Sequence, residues 1–340
     1  MADGTTCLRG VWAAVPTPWD AAGCLAEGML ERNIDRYAEA GVDGVYTTDS
    51  DGEFYAIELE DFRRLVKVFA RRMHGVGLPA AVGVSWSHTA GIVERIRIAV
   101  DAGIPTVHVA FPAWIPLAPS DVDRFFDDLA EAVPAARWVH YNNPQTRILL
   151  TGKDYARFAA TYPEQLVGSK QGTTDLQQLA EIIEESPHLA HFGVEYNVVL
   201  TYLLGGKGWY SYWVNVLPGW ERVWRDACET GNWELAWQMQ RKLLAWERTH
   251  IVPTLRRAGH SSGIVGKARA ALSNFLEDTG NTKPPYYPAD SQMQQSLKTA
   301  FRSFWAEELR AESFVPTAGP VQEHGIDVEL VSSRKGGRMD

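Results

Sequence analysis

Short apolar runs alternate with longer, helix-periodic stretches along most of this chain. Eight runs have the length and the β-branched, aromatic and small apolar content of buried strands: 10–18, 42–48, 79–84, 106–111, 137–142, 166–171, 189–195 and 208–213. The segments between them repeat apolar residues every three to four positions. Residues 29–41 put Leu30, Ile34 and Tyr37 on one stripe, with Arg32, Asp35 and Arg36 elsewhere, and 92–103 follow the same pattern. Gly41 and Gly103 stand where helix C-caps belong. Pro119-Ser120-Asp121 reads as the start of another helix.

Eight strands, each followed by a helix over roughly 220 residues, predict a (β/α)8 TIM barrel spanning 9–230. An open, doubly wound sheet is the competing arrangement. It fits less well, because the first strand–helix junction lacks GxGxxG and the repeat is so even. After Gly231 the strand signal stops. Residues 231–313 read as a C-terminal helical appendage, and 314–340 are polar and aperiodic, which predicts a flexible tail.

A parallel barrel carries its chemistry at the C-terminal ends of its strands, so those ends form the candidate list. The sixth run, VGSKQGTTD at 167–175, ends on Lys170, inside an otherwise buried strand. Lys is rarely buried without a reason. The fifth run ends in YNNP at 141–144, which places Tyr141 on the neighbouring strand at the same end. A Lys desolvated there has its pKa pushed down and becomes a nucleophile toward a carbonyl carbon. A nearby phenol can move the protons that imine formation requires. Lys170 is therefore the candidate Schiff-base residue and Tyr141 its proton relay. Tyr210 and Tyr212 alternate on the last strand, so only one is expected to face the barrel interior.

Composition narrows the class. Charged residues make up 22% of the chain and the formal net charge is −9, which leaves no basic footprint for nucleic acid. Cys7, Cys24 and Cys228 are odd in number and form no CxxC pair, as suits a reducing, cytoplasmic compartment rather than a disulfide framework. No signal peptide and no membrane span are read. Thirteen Trp residues are many, and several fall where a pocket wall is expected.

From about Arg9 to Tyr287 the chain resembles the dihydrodipicolinate synthase/N-acetylneuraminate lyase family of class I aldolase-type barrels. The resemblance rests on GVWAAVPTPWDAAG, AGVDGVYTTDSDGEFYAI, YNNP, GSKQGTTD, LGGKGWYSYWVN and KPPYYP, in that order. It implies that Lys170 is the Schiff-base residue and Tyr141 the relay, and that Ser50 and Asp51 bind the carboxylate of a 2-keto acid. It implies Trp114, Asn143 and Tyr210 as further substrate-binding residues, no metal or other cofactor, a small-molecule 2-keto acid with an aldehyde as partner, and a homotetramer. Three departures stand out. The family's GTTGE-type loop reads Asp49-Ser50-Asp51-Gly52-Glu53, with an acid where Thr is usual. The synthase proper carries an Arg two residues after the Pro of YNxP; here that residue is Thr146, and Arg147 follows. Trp114 replaces the usual fourth-strand aromatic, and with Asn143 it is similar to the hydratase-aldolase branch.

Other constellations carry no chemistry. His188 and His191 sit at the wrong end of the seventh strand and lack a third ligand. Gly205-Gly206-Lys207-Gly208 is a turn before a strand, and Glu53 reads as a structural hydrogen-bonding residue. Asp121, Asp123, Asp127 and Asp128 form a solvated helix face. Three functions follow for comparison: an imine-forming lyase on a 2-keto acid, a dehydratase or deaminase of a hydroxy-keto acid through the same imine, and a barrel that only binds a metabolite.

Overall fold

The computed structural model describes residues 8–277 and 280–312; Cys7 and the expected tail at 314–340 lie outside them. Eight strands close a barrel in sequence order: β1 (Gly10–Ala14), β2 (Gly44–Thr47), β3 (Ala80–Gly83), β4 (Thr106–Val109), β5 (Arg137–Asn142), β6 (Leu166–Gln171), β7 (Ala190–Val194) and β8 (Gly208–Ser211). Every neighbouring pair is parallel, and β8 returns to β1 through Gly10↔Gly208 and Trp12↔Tyr210. Around them run α1 (Glu27–Ala40), α2 (Leu59–Val76), α3 (Thr89–Asp101), α4 (Pro119–Ala132), α5 (Gly152–Thr161), α6 (Leu176–Glu185), α7 (Val198–Leu203) and α8 (Pro218–Glu229). The expected barrel is the observed one.

The apolar stripe explains why α1 packs where it does. Leu30, Ile34 and Tyr37 are wholly buried, and removing an aliphatic side chain of that size from water contributes about 1.5–3 kcal/mol. Gly41 ends the helix at φ 72°, in the left-handed region, and its N–H donates to the carbonyls of Ala38 and Tyr37.

Strands end earlier than their apolar runs, for local reasons. β1 stops at Ala14 because Pro16 and Pro18 offer no N–H to a ladder. β2 stops because Thr48 takes φ 57°, held by its hydroxyl donating to the Gly83 carbonyl at 2.7 Å. β8 stops because Tyr212 turns into a 3-10 turn at Trp213–Asn215.

Beyond β8 come α9 (Trp233–Trp246), a π-helical continuation at Glu247–Arg256, α10 (Ser262–Ala270), α11 (Ser291–Phe304) and α12 (Ala306–Glu312). Pro253 lies inside the π-helical stretch. It has no N–H, and its ring would clash with the carbonyl one α-turn back, so the chain widens there. These helices are anchored by tryptophan. Trp213 packs on Trp305 at 5.1 Å between ring centroids and Trp220 packs on Trp305 at 5.3 Å. Trp12, Trp19, Trp138, Trp209, Trp213, Trp224, Trp246 and Trp305 are fully buried. These eight tryptophans serve the core. Among the described residues no helix is long and apolar enough to cross a membrane.

Candidate active site

At the C-terminal mouth of the barrel lies a cavity of about 470 Å³ that holds Lys170, Tyr141, Ser50, Asp51, Asn143 and Tyr210 in its wall. That size suits a small metabolite. The strand register brings the central pair together: Tyr141 on β5 is the direct partner of Lys170 on β6. The Lys170 Nζ sits 4.1 Å from the centre of the Tyr141 ring, over its face. Tyr210 belongs to the apolar floor of the barrel with Trp12, Ala14, Tyr46, Ala81, Val139 and Phe192.

Lys170 is 5% exposed and makes two hydrogen bonds. Its Nζ donates to the Tyr46 hydroxyl at 3.2 Å and to Asp49 Oδ2 at 2.8 Å. This ion pair corrects the expectation of a resting neutral amine. Burial alone draws the Lys170 pKa down, but the Asp49 carboxylate, together with the phenols of Tyr46 and Tyr141, outweighs it and holds the group well above its ordinary value. Lys170 rests as an ammonium. The same contact holds Asp49 low: burial opposes ionisation, and Lys170 and His108 overcome it.

Asp49 and Tyr46 were not among the residues read from sequence. Both lie in the quoted VYTTDSDGE stretch, where three acids compete and pattern does not say which one points inward. The left-handed turn at Thr48 decides it. Asp51, the acid singled out by its departure from the usual Thr, also lines the cavity. Burial pushes its carboxyl up, against the pull of Lys170, Arg269 and Arg256. Gly266 of α10 lets the helix come this close, since a Cβ there would lie 3.2 Å from Asp51 Oδ1.

The appendage contributes more to the site than the sequence suggests. Leu244, Glu247, Arg248, Val252, Arg256 and Arg269 all line the cavity. Arg269 is buried, paired with Glu247 at 2.9 Å, and lies 3.8 Å from the Tyr212 ring centre. Tyr212 therefore lines the cavity along with Tyr210, because the strand ends between them and frees the second ring from strict alternation. Glu195 at the end of β7 is a further wall residue, its carboxyl pushed up to about 8 by burial.

Other expected residues fall elsewhere. Trp114 is 83% exposed and is absent from the cavity wall of its own chain. Arg147 holds the loop outward, donating to the carbonyls of Ala113 at 3.2 Å and Trp114 at 2.8 Å. Arg147 is thereby committed to that loop, and Thr146 to the carbonyls of Asn143 and Ile148. Asn143 lines the cavity while its side-chain oxygen accepts from Gln145 N at 3.0 Å. Glu53 is buried away from the cavity, accepting from Trp19 Nε1 and Lys267 Nζ, both at 2.7 Å. His191 is occupied by Ser169 and Ser186. Among the described residues no three His, Cys, Asp or Glu side chains gather as a metal cluster would.

Comparison with known proteins bears on this geometry. The profile of the dihydrodipicolinate synthetase family matches residues 7–303. A 4-hydroxy-tetrahydrodipicolinate synthase from Methanopyrus kandleri is 28% identical over 282 residues, covering 80% of this chain and 93% of that relative. One from Pseudomonas putida is 28% identical over 243 residues, covering 70% of this chain and 81% of the relative. Among solved structures, YagE, a prophage protein of the same family from E. coli K12 in complex with pyruvate, superposes with a TM-score of 0.79 at 22% identity, over 88% of this chain and 99% of that one. CdNal from Clostridium difficile, in complex with mannosamine, gives 0.77 at 17% identity, over 87% and 99%. Likeness at those identities speaks for the fold alone. The profile match across nearly the whole described chain speaks for descent, and with it the binding-only alternative falls away: the chain belongs to the dihydrodipicolinate synthetase family and is a lyase of the class I, imine-forming aldolase type.

Proposed function

We propose that Lys170 forms the imine with a 2-keto acid such as pyruvate, and that the enzyme makes or breaks a bond between the carbons alpha and beta to the imine carbon. The observation that carries this reading is the buried Lys170 ammonium, held between Tyr141 and Asp49 in the wall of a metabolite-sized cavity. The iminium withdraws electrons, a proton leaves the alpha carbon, and the enamine adds to an aldehyde. The reverse sequence cleaves the product. Tyr141 carries protons at this face. Ser50 and the first N–H groups of the 3-10 turn Ser50–Gly52 are the donors suited to the keto-acid carboxylate. Product analysis after incubation with pyruvate and a set of aldehydes tests this reading. A new hydroxy-keto acid is expected, and release of water or ammonia from a hydroxy- or amino-keto acid without carbon–carbon cleavage would replace it with the elimination chemistry. That second reading draws support from Glu195, whose burial-raised carboxyl lines the cavity as an acid for a leaving hydroxyl. The homotetramer belongs to the proposal too, with the exposed Trp114 and Ile115 as apolar surface for a neighbouring copy to cover.

An Asp51 carboxylate that faces the carboxylate of the substrate would weaken the binding of pyruvate. A carboxylate about 4 Å from a substrate carboxylate costs about 4 kcal/mol at an effective dielectric of about 20, which is about a thousandfold in affinity. Asp51→Thr is therefore expected to trap pyruvate at least tenfold better than wild type at pH 8. The advantage shrinks as pH falls toward 5, because protonation removes the charge, and it shrinks earlier than for an ordinary carboxylate because burial raises this one. Equal trapping at every pH would remove Asp51 from the substrate's path.

Activity is also expected to survive prolonged EDTA treatment, since the iminium supplies the electron sink that a metal-dependent aldolase takes from its ion. Loss of turnover on chelation, restored by a divalent ion, would contradict the imine route.

A further inference from the structure

We propose that Asp49 is the acid–base partner of Lys170 in making the imine: it takes the ammonium proton as Nζ attacks the ketone and returns it to the hydroxyl that departs as water. This rests on the imine reading above and extends it to a residue that the sequence did not single out.

An ammonium has no lone pair, so attack requires that one proton leave Nζ first. Lys170 is 5% exposed and Asp49 is 3% exposed, so the pair is largely shielded and a fixed acceptor beside Nζ has the advantage over solvent. The nearest acceptor is Asp49 Oδ2, at 2.8 Å. The other titratable and charged groups on the surrounding elements fill that role less well. Tyr46 of β2 accepts at 3.2 Å, but burial pushes its pKa up and keeps the phenol protonated, so it has no anionic oxygen to take the proton. Tyr141 of β5 presents its ring face. Tyr210 of β8 stands farther off, at 5.4 Å from Nζ to the ring centre. His108 of β4 has Nδ1 3.8 Å from the same Asp49 oxygen and backs the carboxylate rather than the amine. Asp51 in the same loop adds a second negative charge. β1, β3 and β7 bring the apolar Trp12, Ala14, Ala81 and Phe192 to this floor, while Glu195 just past β7 and Arg256 and Arg269 of the C-terminal helices line the same cavity without a hydrogen bond to Nζ.

The proton count closes. Asp49 accepts one proton from the ammonium. The amine adds to the ketone, and the nitrogen of the adduct passes a proton to the oxygen, giving a carbinolamine. The Asp49 carboxylic acid then protonates that hydroxyl, water leaves, and the iminium forms beside an Asp49 that is again a carboxylate. One ketone and one ammonium become one iminium and one water. A second cavity, of about 30 Å³, opens beside Asp49, Ser85, Tyr141 and Asn143. It has room for about one or two waters, next to both groups that handle the leaving oxygen.

The test is the pH–rate profile of pyruvate imine formation, read by borohydride quenching and intact mass, for wild type, Asp49→Asn, and Asp49→Gly with and without formate. Removing the anion lowers the Lys170 pKa, so the rising limb of both variants is expected to move to lower pH. Removing the base is expected to drop the plateau at least tenfold, and formate, which fits the space left in Asp49→Gly, is expected to restore it. An ion pair that only holds the ammonium would shift the limb but leave the plateau unchanged or faster, and that result would overturn the proposal. If Asp49→Asn does not fold, formate rescue of Asp49→Gly still decides, and its absence counts against. No adduct in wild type at any pH would instead overturn the imine reading itself.

Discussion

Replacing Lys170 with alanine is expected to abolish turnover and to cost stability. Turnover fails because, among the described residues, Lys170 is the one amine in this cavity wall; the other cations there are Arg248, Arg256 and Arg269, whose guanidinium groups are not nucleophiles. Stability falls because the substitution leaves Asp49 buried without its counter-ion. Breaking a buried pair from one side typically costs about 3–5 kcal/mol. Truncating a lone buried Lys would relieve a desolvation burden; the Asp49 partner reverses that sign. The double variant Lys170→Ala/Asp49→Gly separates the two effects: it is expected to recover most of the lost thermal stability and none of the activity. Turnover retained by Lys170→Ala would remove the imine altogether.

Tyr141→Phe carries the second-largest effect. The ring that faces Nζ at 4.1 Å survives the change, so the packing and the cation–π contact remain. Only the hydroxyl goes. Turnover is expected to fall on the order of 10²–10⁴-fold, the usual worth of a positioned acid–base group. Pyruvate trapping at Lys170 is expected to continue at a slower rate, because Asp49 still contacts Nζ. Steady-state kinetics and trapping on the same variant check this. A loss of trapping as large as the loss of turnover would mean that the phenol, not Asp49, moves the first proton.

The barrel and its central pair were legible because both depend on short-range rules. Short apolar runs separated by period-3.6 segments define eight β–α units, and parallel register then puts the ends of β5 and β6 side by side, which is how Tyr141 meets Lys170. The rest depended on contacts that no local rule encodes. Asp49 faces inward because Thr48 adopts a left-handed backbone, a conformation unusual for a β-branched residue and invisible in the spelling of TTDSDGE. Trp114 was expected at a pocket wall, yet Arg147 ties its loop outward from 33 residues away in sequence. Tyr212 joined the cavity because β8 ends one residue before it. The helices after Gly231 looked like an appendage, but α10 packs through Gly263 and Gly266 onto the loop that carries Asp49, Asp51 and Glu53. A Cβ at Gly263 would lie 2.4 Å from Glu53 Cγ, so that closeness requires glycine. Such long-range fits explain why the cavity's outer wall, including Arg256 and Arg269, escaped the sequence pattern.

Lys170 is the residue expected to become covalently joined to a 2-keto acid. Incubating the enzyme with pyruvate and borohydride, then mapping the modified peptide by mass spectrometry, tests it most directly. One reduced pyruvate on the peptide that contains Lys170, absent from Lys170→Ala, is the predicted result. An adduct on another lysine, or none with any 2-keto acid at high concentration, would contradict it.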